Sequence, residues 1–377
     1  MSINVSSIAP SKEAGPLRIV VCGTTFGRIY MKAIAAMPTY FRLVGIVARG
    51  STHSKNVAAS YGVPLYKGIN ELPTREIDAA CVVVRAGVVG GVGADLALAL
   101  LKKRIPVLQE HPLHLYEISQ CLQAANAAKI PWSMNSFYPD VSSVRGFIRY
   151  AKVLRKHHEL RSLMVTCSVH VLYPLIDILS ESLGGLRPWS FSEVLAKQGP
   201  FTLVAGGLAG IPITFEIQNQ MAPNDPDNHT EVLHRITLTT DVGTLLLTDT
   251  HGSVLWTPRL HVPRDKAGQL DMFNSEHAMM AQTVMQTACT MQHEDGANIR
   301  YSSVFEQQWP LAMQRALARF YQQIVTGKRE ISRQQTMLSA CQCWQDLSRV
   351  LGPVTIIEQT PPRLVGLSQL EALCDEQ

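Results

Sequence analysis

The chain has 377 residues, 46% of them hydrophobic and 17% charged, enough for a large packed core and more than one ordinary domain takes, so two domains are expected. Its 34 basic and 30 acidic residues leave a net charge of +4 and are scattered along the chain, which excludes the dense Lys/Arg blocks of a nucleic-acid or membrane-surface binder. The longest apolar run, from Cys81 to Leu101, is broken by Arg85, Asp95 and several glycines and does not read as a membrane span.

Residues 1–16 mix Ser, Lys, Glu, Pro and Gly without the apolar core of a signal peptide, and read as a flexible tail with no export signal. Leu17–Cys22 is a short strand ending at Gly23. A helix follows over 29–37, a strand over 42–48, a helix over 54–61 stopped by Gly62, and an extended piece over 64–66. Next come a buried strand over 79–84, a helix over 93–103, a strand over 106–109 and a helix over 116–129. Strands apolar on both faces and separated by helices predict a parallel sheet covered on both sides, an α/β Rossmann domain over 17–137.

After Ser136 the pattern changes. A helix over 141–154 leads into alternating runs over 162–171, 201–204, 211–220, 234–240, 244–250 and 253–256. Asp241-Val242-Gly243 and Thr250-His251-Gly252 punctuate the last three as hairpin turns, which predicts a mainly antiparallel open sheet. Helical periodicity returns over 308–325 and 333–351. The expected division is an α+β substrate and dimerisation domain over 138–357, whose late helices over 308–351 pack back on the first domain, and a C-terminal tail over 358–377. Of the eight cysteines only Cys341 and Cys343 lie close together, and Cys22, Cys81 and Cys167 sit inside apolar runs. Reduced thiols, no zinc and a cytoplasmic location follow as expectations.

Gly23-Thr24-Thr25-Phe26-Gly27 ends the first strand and opens the first helix, where backbone N–H groups and the helix dipole meet a pyrophosphate. The fit to G-x-G-x-x-G is imperfect, since Thr25 stands at the second glycine and Gly27 is displaced. An NAD ribose takes a carboxylate at the end of the second strand, yet no Asp or Glu occurs between Glu13 and Glu71. The strand runs instead into Arg49, Ser51, Ser54 and Lys55, the fork, hydroxyls and point charge that suit a 2′-phosphate. NADPH is the expected cofactor; a solvated basic loop is the alternative. The glycine-rich loop over 87–93, with Arg85, Gly90 and Gly91, reads either as a wall for the nicotinamide half or as a plain strand–helix loop.

Gln109-Glu110-His111-Pro112 ends the next strand. With the dinucleotide pattern, the sheet-rich second half and Phe320 and Gly327-Lys328 in the late helix, this Glu-x-Pro resembles the glucose-fructose oxidoreductase/inositol dehydrogenase superfamily. The resemblance implies a cis bond before Pro112 and a cofactor contact at Glu110. The family's Lys is His111 here, and its His-x-x-Asp appears as Pro174-Leu175-Ile176-Asp177, departures that point away from sugar or polyol oxidation. Phe26-Gly27-Arg28-Ile29-Tyr30, Val83-Val84-Arg85, Gln109 to His114, Asn135-Ser136-Phe137-Tyr138-Pro139 and Asp225-Pro226-Asp227-Asn228-His229 together resemble the thiazolinyl imine reductases of the yersiniabactin and pyochelin siderophore pathways. That resemblance implies NADPH-dependent reduction of a thiazoline to a thiazolidine on an intermediate tethered to a nonribosomal peptide synthetase carrier domain.

Imine reduction needs a hydride to carbon and a proton to nitrogen, so one acid must lie within reach. His111 and Tyr138 are the candidates, and the sequence leaves open which donates. His114, Asp227 and His229 are candidate substrate contacts. The Asp225 to His229 segment is also ordinary turn chemistry, and no metal is expected. No nucleic acid or membrane partner is expected; a homodimer is. An NADP-dependent sugar or aldehyde oxidoreductase and a non-catalytic NADPH-binding regulator remain as alternatives. If Arg49 meets a 2′-phosphate, Arg49→Ala should weaken NADPH about ten- to a hundredfold, from roughly 1.5–3 kcal/mol for a charge-assisted contact, and leave NADH nearly unchanged. Titration of both nucleotides checks this, and equal affinity in the unmodified protein would contradict it.

Overall fold

The computed structural model describes residues 15–86, 90–225, 228–290, 299–328, 330–359 and 361–375. Of the expected tail, all but Gly15 and Pro16 lies outside them. The first part runs β1 (Leu17–Cys22), α1 (Gly27–Ala35), β2 (Phe41–Val47), α2 (Thr52–Tyr61), β3 (Leu65–Tyr66), β4 (Ala79–Val82), α3 (Gly93–Lys102), β5 (Val107–Glu110), α4 (Leu115–Ala128) and β6 (Trp132–Asn135). Among the described residues these form a six-stranded sheet in the order β3-β2-β1-β4-β5-β6, parallel throughout. Ile19 to Cys22 and all of β4 are fully buried, as strands are when helices cover both faces. The strand order reverses between β1 and β4, which opens a crevice at the strands' carboxyl ends.

The second part runs α5 (Ser142–His157), β7 (Leu160–Ser168), α6 (Leu172–Leu183), β8 (Trp189–Gln198), β9 (Phe201–Leu208), β10 (Ile211–Gln218), β11 (Gln220–Met221), β12 (His234–Thr240), β13 (Gly243–Leu247), β14 (Val254–Pro258) and β15 (Gln286–Cys289). α7 (Tyr301–Ser303), α8 (Trp309–Thr326), α9 (Ile331–Leu351), β16 (Thr355–Ile356) and α10 (Leu367–Asp375) follow. Its eight-stranded sheet has the order β15-β14-β13-β12-β7-β10-β9-β8 among the described residues. Only the β7–β10 pairing within it is parallel, so the expected mainly antiparallel sheet is present. In β12, buried His234, Ile236, Leu238 and Thr240 alternate with more exposed residues, the mark of a sheet covered on one side. No helix among the described residues is long and apolar enough to cross a membrane.

Among the elements without a counterpart in the sequence reading, α6 and β8 show why. α6 is buried almost all round, so it shows no amphipathic stripe, and Pro174 sits in its first turn, where a missing N–H costs little. β8 is an edge strand whose register shifts twice against β9, and bulges and exposure erase the alternation that marks a strand. β9 extends past its expected end at Val204 through Gly206, where a Cβ would strike the Ser190 carbonyl of β8.

The late helices bind the two sheets together. α8 lies on α1 and α9 on α4 and α6. The Tyr321 ring meets those of Tyr40 and Phe41 edge-on at 5.2 and 5.7 Å, and Gln323 accepts the Ser133 hydroxyl at 2.7 Å. Arg319 forks onto Asp140 just after β6, with Nη1 to Oδ1 at 2.7 Å and a second bond from Nη2 to Oδ2. Arg315 donates to the Asp140 carbonyl at 2.6 Å. Burial alone would raise the Asp140 carboxyl, but the Arg319 charge and its hydrogen bond outweigh it and hold the group below the usual carboxylate range. Arg319→Met, which strands that carboxylate, should cost about 3–5 kcal/mol of unfolding free energy at neutral pH. Because the folded-state pKa is depressed, the pair's contribution is complete above the ordinary carboxylate pKa and is lost as pH falls through the folded value. Urea unfolding from neutral to acid pH should therefore show the gap between the two proteins narrowing on acidification; a constant gap would contradict the assignment.

Candidate active site

At the end of β1, Gly23 adopts φ +99°, and a Cβ there would collide with the Val83 carbonyl. Only glycine lets the turn lie this close to β4. Phe26 is the N-cap of α1 without a side-chain cap, and the first turn holds no acid, a helix start of the kind that receives an anion. The turn after β2 is built by Ser51, which caps α2 by accepting from the Ser54 N–H at 3.2 Å. Ser54, expected as a phosphate donor, is buried and gives its hydroxyl to the Ser51 carbonyl at 2.9 Å. Arg49 and Lys55 stand exposed. The sequence reading missed His53, whose Nε2 lies 3.2 Å from the Thr24 carbonyl and joins the two turns. A glycine cradle and an acid-free helix start together fit a nicotinamide dinucleotide.

Gly87, Val88 and Val89 lie outside the described residues. In the rest of that loop, Gly91 and Gly93 donate to the Ala86 and Arg85 carbonyls, both at 2.9 Å. A Cβ on either would run into the Arg85 or Val84 carbonyl, so these glycines serve the loop's own closure, the plainer of the two readings. Gly90 has φ +74° and Arg85 is exposed. A cavity of about 500 Å³ opens between the segment after β3 and the start of α3, with Ile69, Val92, Leu96 and Ala99 as apolar walls beside Asn70 and Asp95.

Glu110 closes β5, and the His111–Pro112 bond is cis. The Glu110 carboxylate, expected among the cofactor contacts, is committed to protein groups. Tyr30 of α1 donates to its Oε2, and its Oε1 lies 3.0 Å from His111 Nδ1. The Asn135 carbonyl is also 3.0 Å from that nitrogen. Both neighbours are acceptors, so Nδ1 carries hydrogen, which leaves Nε2 free of this network. Asn135 Nδ2 donates to Tyr30 Oη at 2.8 Å. Burial first, then the Glu110 charge, pushes the Tyr30 phenol far up, so it remains a donor.

Beyond β6, Phe137 sits at φ 63°, ψ −60°, and the Tyr138 N–H reaches back to the Ser136 carbonyl at 2.7 Å. This γ-turn costs a non-glycine residue about 1–3 kcal/mol. The surroundings hold it: Phe137 N–H donates to Asn135 Oδ1 at 3.1 Å, its ring packs on Phe26 and Trp309 at 5.5 and 5.1 Å, and Asp140 is clamped by Arg319. Ser136 donates to Asp177, whose carboxyl burial raises. The turn sets the Tyr138 ring edge-on to His234 at 4.9 Å. His234 bonds Thr250 Oγ1 at 2.8 Å and the Val171 carbonyl at 3.0 Å, and burial lowers its pKa to about 3, so it stays neutral.

The remaining candidates are placed differently. His114 caps α4, its N–H donating to Glu117 at 2.7 Å, and its ring stacks on Tyr116. His229 is buried beside His170. Asp227 lies outside the described residues. Among the described residues no group of His, Cys, Asp or Glu side chains converges as metal ligands.

Residues 17–136 match the family model described as oxidoreductase family, NAD-binding Rossmann fold. Residues 159–257 match that described as thiazolinyl imine reductase Irp3-like, C-terminal. No curated protein matches the chain. Among solved structures it is similar to KijD10, a 3-ketoreductase from Actinomadura kijaniata in complex with NADP and TDP-benzene, at TM-score 0.64 and 14% identity over 91% of this chain and 100% of that one. It is also similar to an oxidoreductase from Agrobacterium radiobacter in complex with NAD+, L-tartaric acid and magnesium, at TM-score 0.61 and 11% identity over 87% and 94%. An oxidoreductase from Thermotoga maritima gives TM-score 0.61 and 10% identity over 88% and 95%. At these identities the likeness shows the fold.

Tyr30→Phe keeps the ring and deletes the hydroxyl shared by Asn135 and Glu110. The expected loss is about 1–3 kcal/mol of unfolding free energy, because two buried polar groups lose a partner. Denaturant unfolding measures it, and an unchanged midpoint would mean the network does not hold.

Proposed function

We propose that this chain, which belongs to the NAD-binding oxidoreductase family and carries a C-terminal domain of the thiazolinyl imine reductase type, reduces the C=N bond of a thiazoline to the CH–NH of a thiazolidine with NADPH. The observation that carries the reading is the imidazole of His111, held by Glu110 at the end of β5 in a chain whose second half matches the thiazolinyl imine reductase model. When bound, the dinucleotide supplies a hydride for the imine carbon; the protein's task is the proton for nitrogen.

His111 suits that task. With Nδ1–H fixed between Glu110 and the Asn135 carbonyl, Nε2 is the nitrogen that donates, and the Glu110 carboxylate steadies the imidazolium before transfer. Tyr138, a neutral phenol set by the strained turn against His234, orients the imine nitrogen or hands it the proton. Arg49 and Lys55, with no carboxylate near them in sequence, favour the 2′-phosphate of NADPH over the bare ribose of NADH. On the same reading the substrate is tethered to a nonribosomal peptide synthetase carrier domain in siderophore assembly, and the enzyme works in the cytoplasm as a homodimer.

The test is single-turnover reduction of a carrier-loaded thiazoline by NADPH. His111→Ala and Tyr138→Phe should each slow the chemical step, with about 10²–10⁴-fold the usual worth of general acid assistance, while NADPH affinity stays intact. Full rate in the double variant would remove the assignment. Efficient turnover of sugars with none of the thiazoline would remove the function.

A further inference from the structure

We propose that His229, with His170 beside it, is a recognition residue of the substrate site and that its ring nitrogens receive a hydroxyl group carried by the substrate beside its C=N ring. The proposal rests on the reading above that a thiazoline is reduced at His111.

His229 is 3% exposed, and neither of its ring nitrogens has a hydrogen-bond partner among the described residues. Its backbone is nonetheless fixed. Gln218, buried at the end of β10, donates to the His229 carbonyl at 2.8 Å and accepts the Glu231 N–H at 2.9 Å. A locked backbone that carries an unused buried imidazole is costly, because each buried polar group left without a partner forfeits its full desolvation energy. Among the described residues the fold makes no use of these two nitrogens.

The neighbour is His170, in the turn Val169–Val171 between β7 and α6. Its ring lies 5.1 Å from that of His229, tilted by 54°. Its Nδ1 is 3.1 Å from Ser168 Oγ, and Thr230 Oγ1 is 3.2 Å from its Nε2. Burial first, then the neighbouring His229 and His111, lowers the His170 pKa to about 4, so the ring is neutral. Tyr173, one turn further on, stacks its ring on His111 at 5.8 Å and 24°. His170 thus lies close enough to the proposed proton donor for the His111 charge to bear on it.

A neutral imidazole offers one donor and one acceptor nitrogen. A carboxylate would find too few donors here, and an ammonium group too few acceptors. A hydroxyl, which gives one hydrogen bond and takes others, matches the two nitrogens of His229.

The experiment uses two thiazoline thioesters that differ only by one hydroxyl on the substituent beside the C=N ring. Calorimetry on the NADP+-loaded protein, where no turnover occurs, should show the hydroxylated analogue bound about tenfold or more tighter, as one buried hydrogen bond with both roles filled allows. His229→Phe fills the same space without nitrogens and should reduce that preference to near unity, with the melting temperature unchanged or raised. His229→Gln, which keeps a donor and an acceptor, should restore part of it. Equal binding of both analogues by the unmodified protein overturns the proposal, as does an equal loss for both in His229→Phe. Should that variant fail to fold, the unmodified protein's own discrimination decides. If it discriminates in binding but reduces neither analogue with NADPH, recognition at His229 stands and the reductase reading falls.

Discussion

Asn135, the last residue of β6, turns its carbonyl and both ends of its side-chain amide on the site around it. Its carbonyl takes the His111 N–H at 3.1 Å and faces His111 Nδ1. Its side-chain amide donates to Tyr30 and its oxygen takes the Phe137 N–H. One buried residue thereby fixes the imidazole, the carboxylate partner of that imidazole and the turn that carries Tyr138. Buried networks of this kind either satisfy all their members or destabilise the fold, so these groups stand or fall together.

The second constraint is the backbone strain at Phe137. A γ-turn in a bulky residue persists only where the surroundings over-determine it, and α8 supplies much of that through Trp309 against the ring and Arg319 on Asp140. The helix that follows the second sheet in sequence thus completes the end of the first. The proposed proton donors come from the Rossmann sheet and the turn beyond it, His170 and His229 from the second domain, and α8 keeps the two in register.

The parallel strands were legible in the sequence because burial on both faces writes itself as continuous apolar runs, as in Ile19 to Cys22 and Ala79 to Val82. His111 and Tyr138 could be picked out because strand ends at a carboxyl edge are where such sheets bind ligands. What stayed hidden depends on partners far apart in the chain: Tyr30 and Asn135 are separated by 105 residues, Asp140 and Arg319 by 179. No local pattern encodes such pairs. Ser54 misled for the opposite reason, since a hydroxyl beside a phosphate turn and one that braces a helix cap look alike in sequence. β8 carried too little burial, and α6 too much, to show a period.

The most direct test of the account is the protonation pattern of the His111 ring, read from long-range ¹H–¹⁵N correlations in histidine-labelled protein. The Glu110–Asn135 arrangement predicts that the neutral ring carries its hydrogen on Nδ1. A neutral ring carrying its hydrogen on Nε2, with Nδ1 bare toward Glu110, would contradict it.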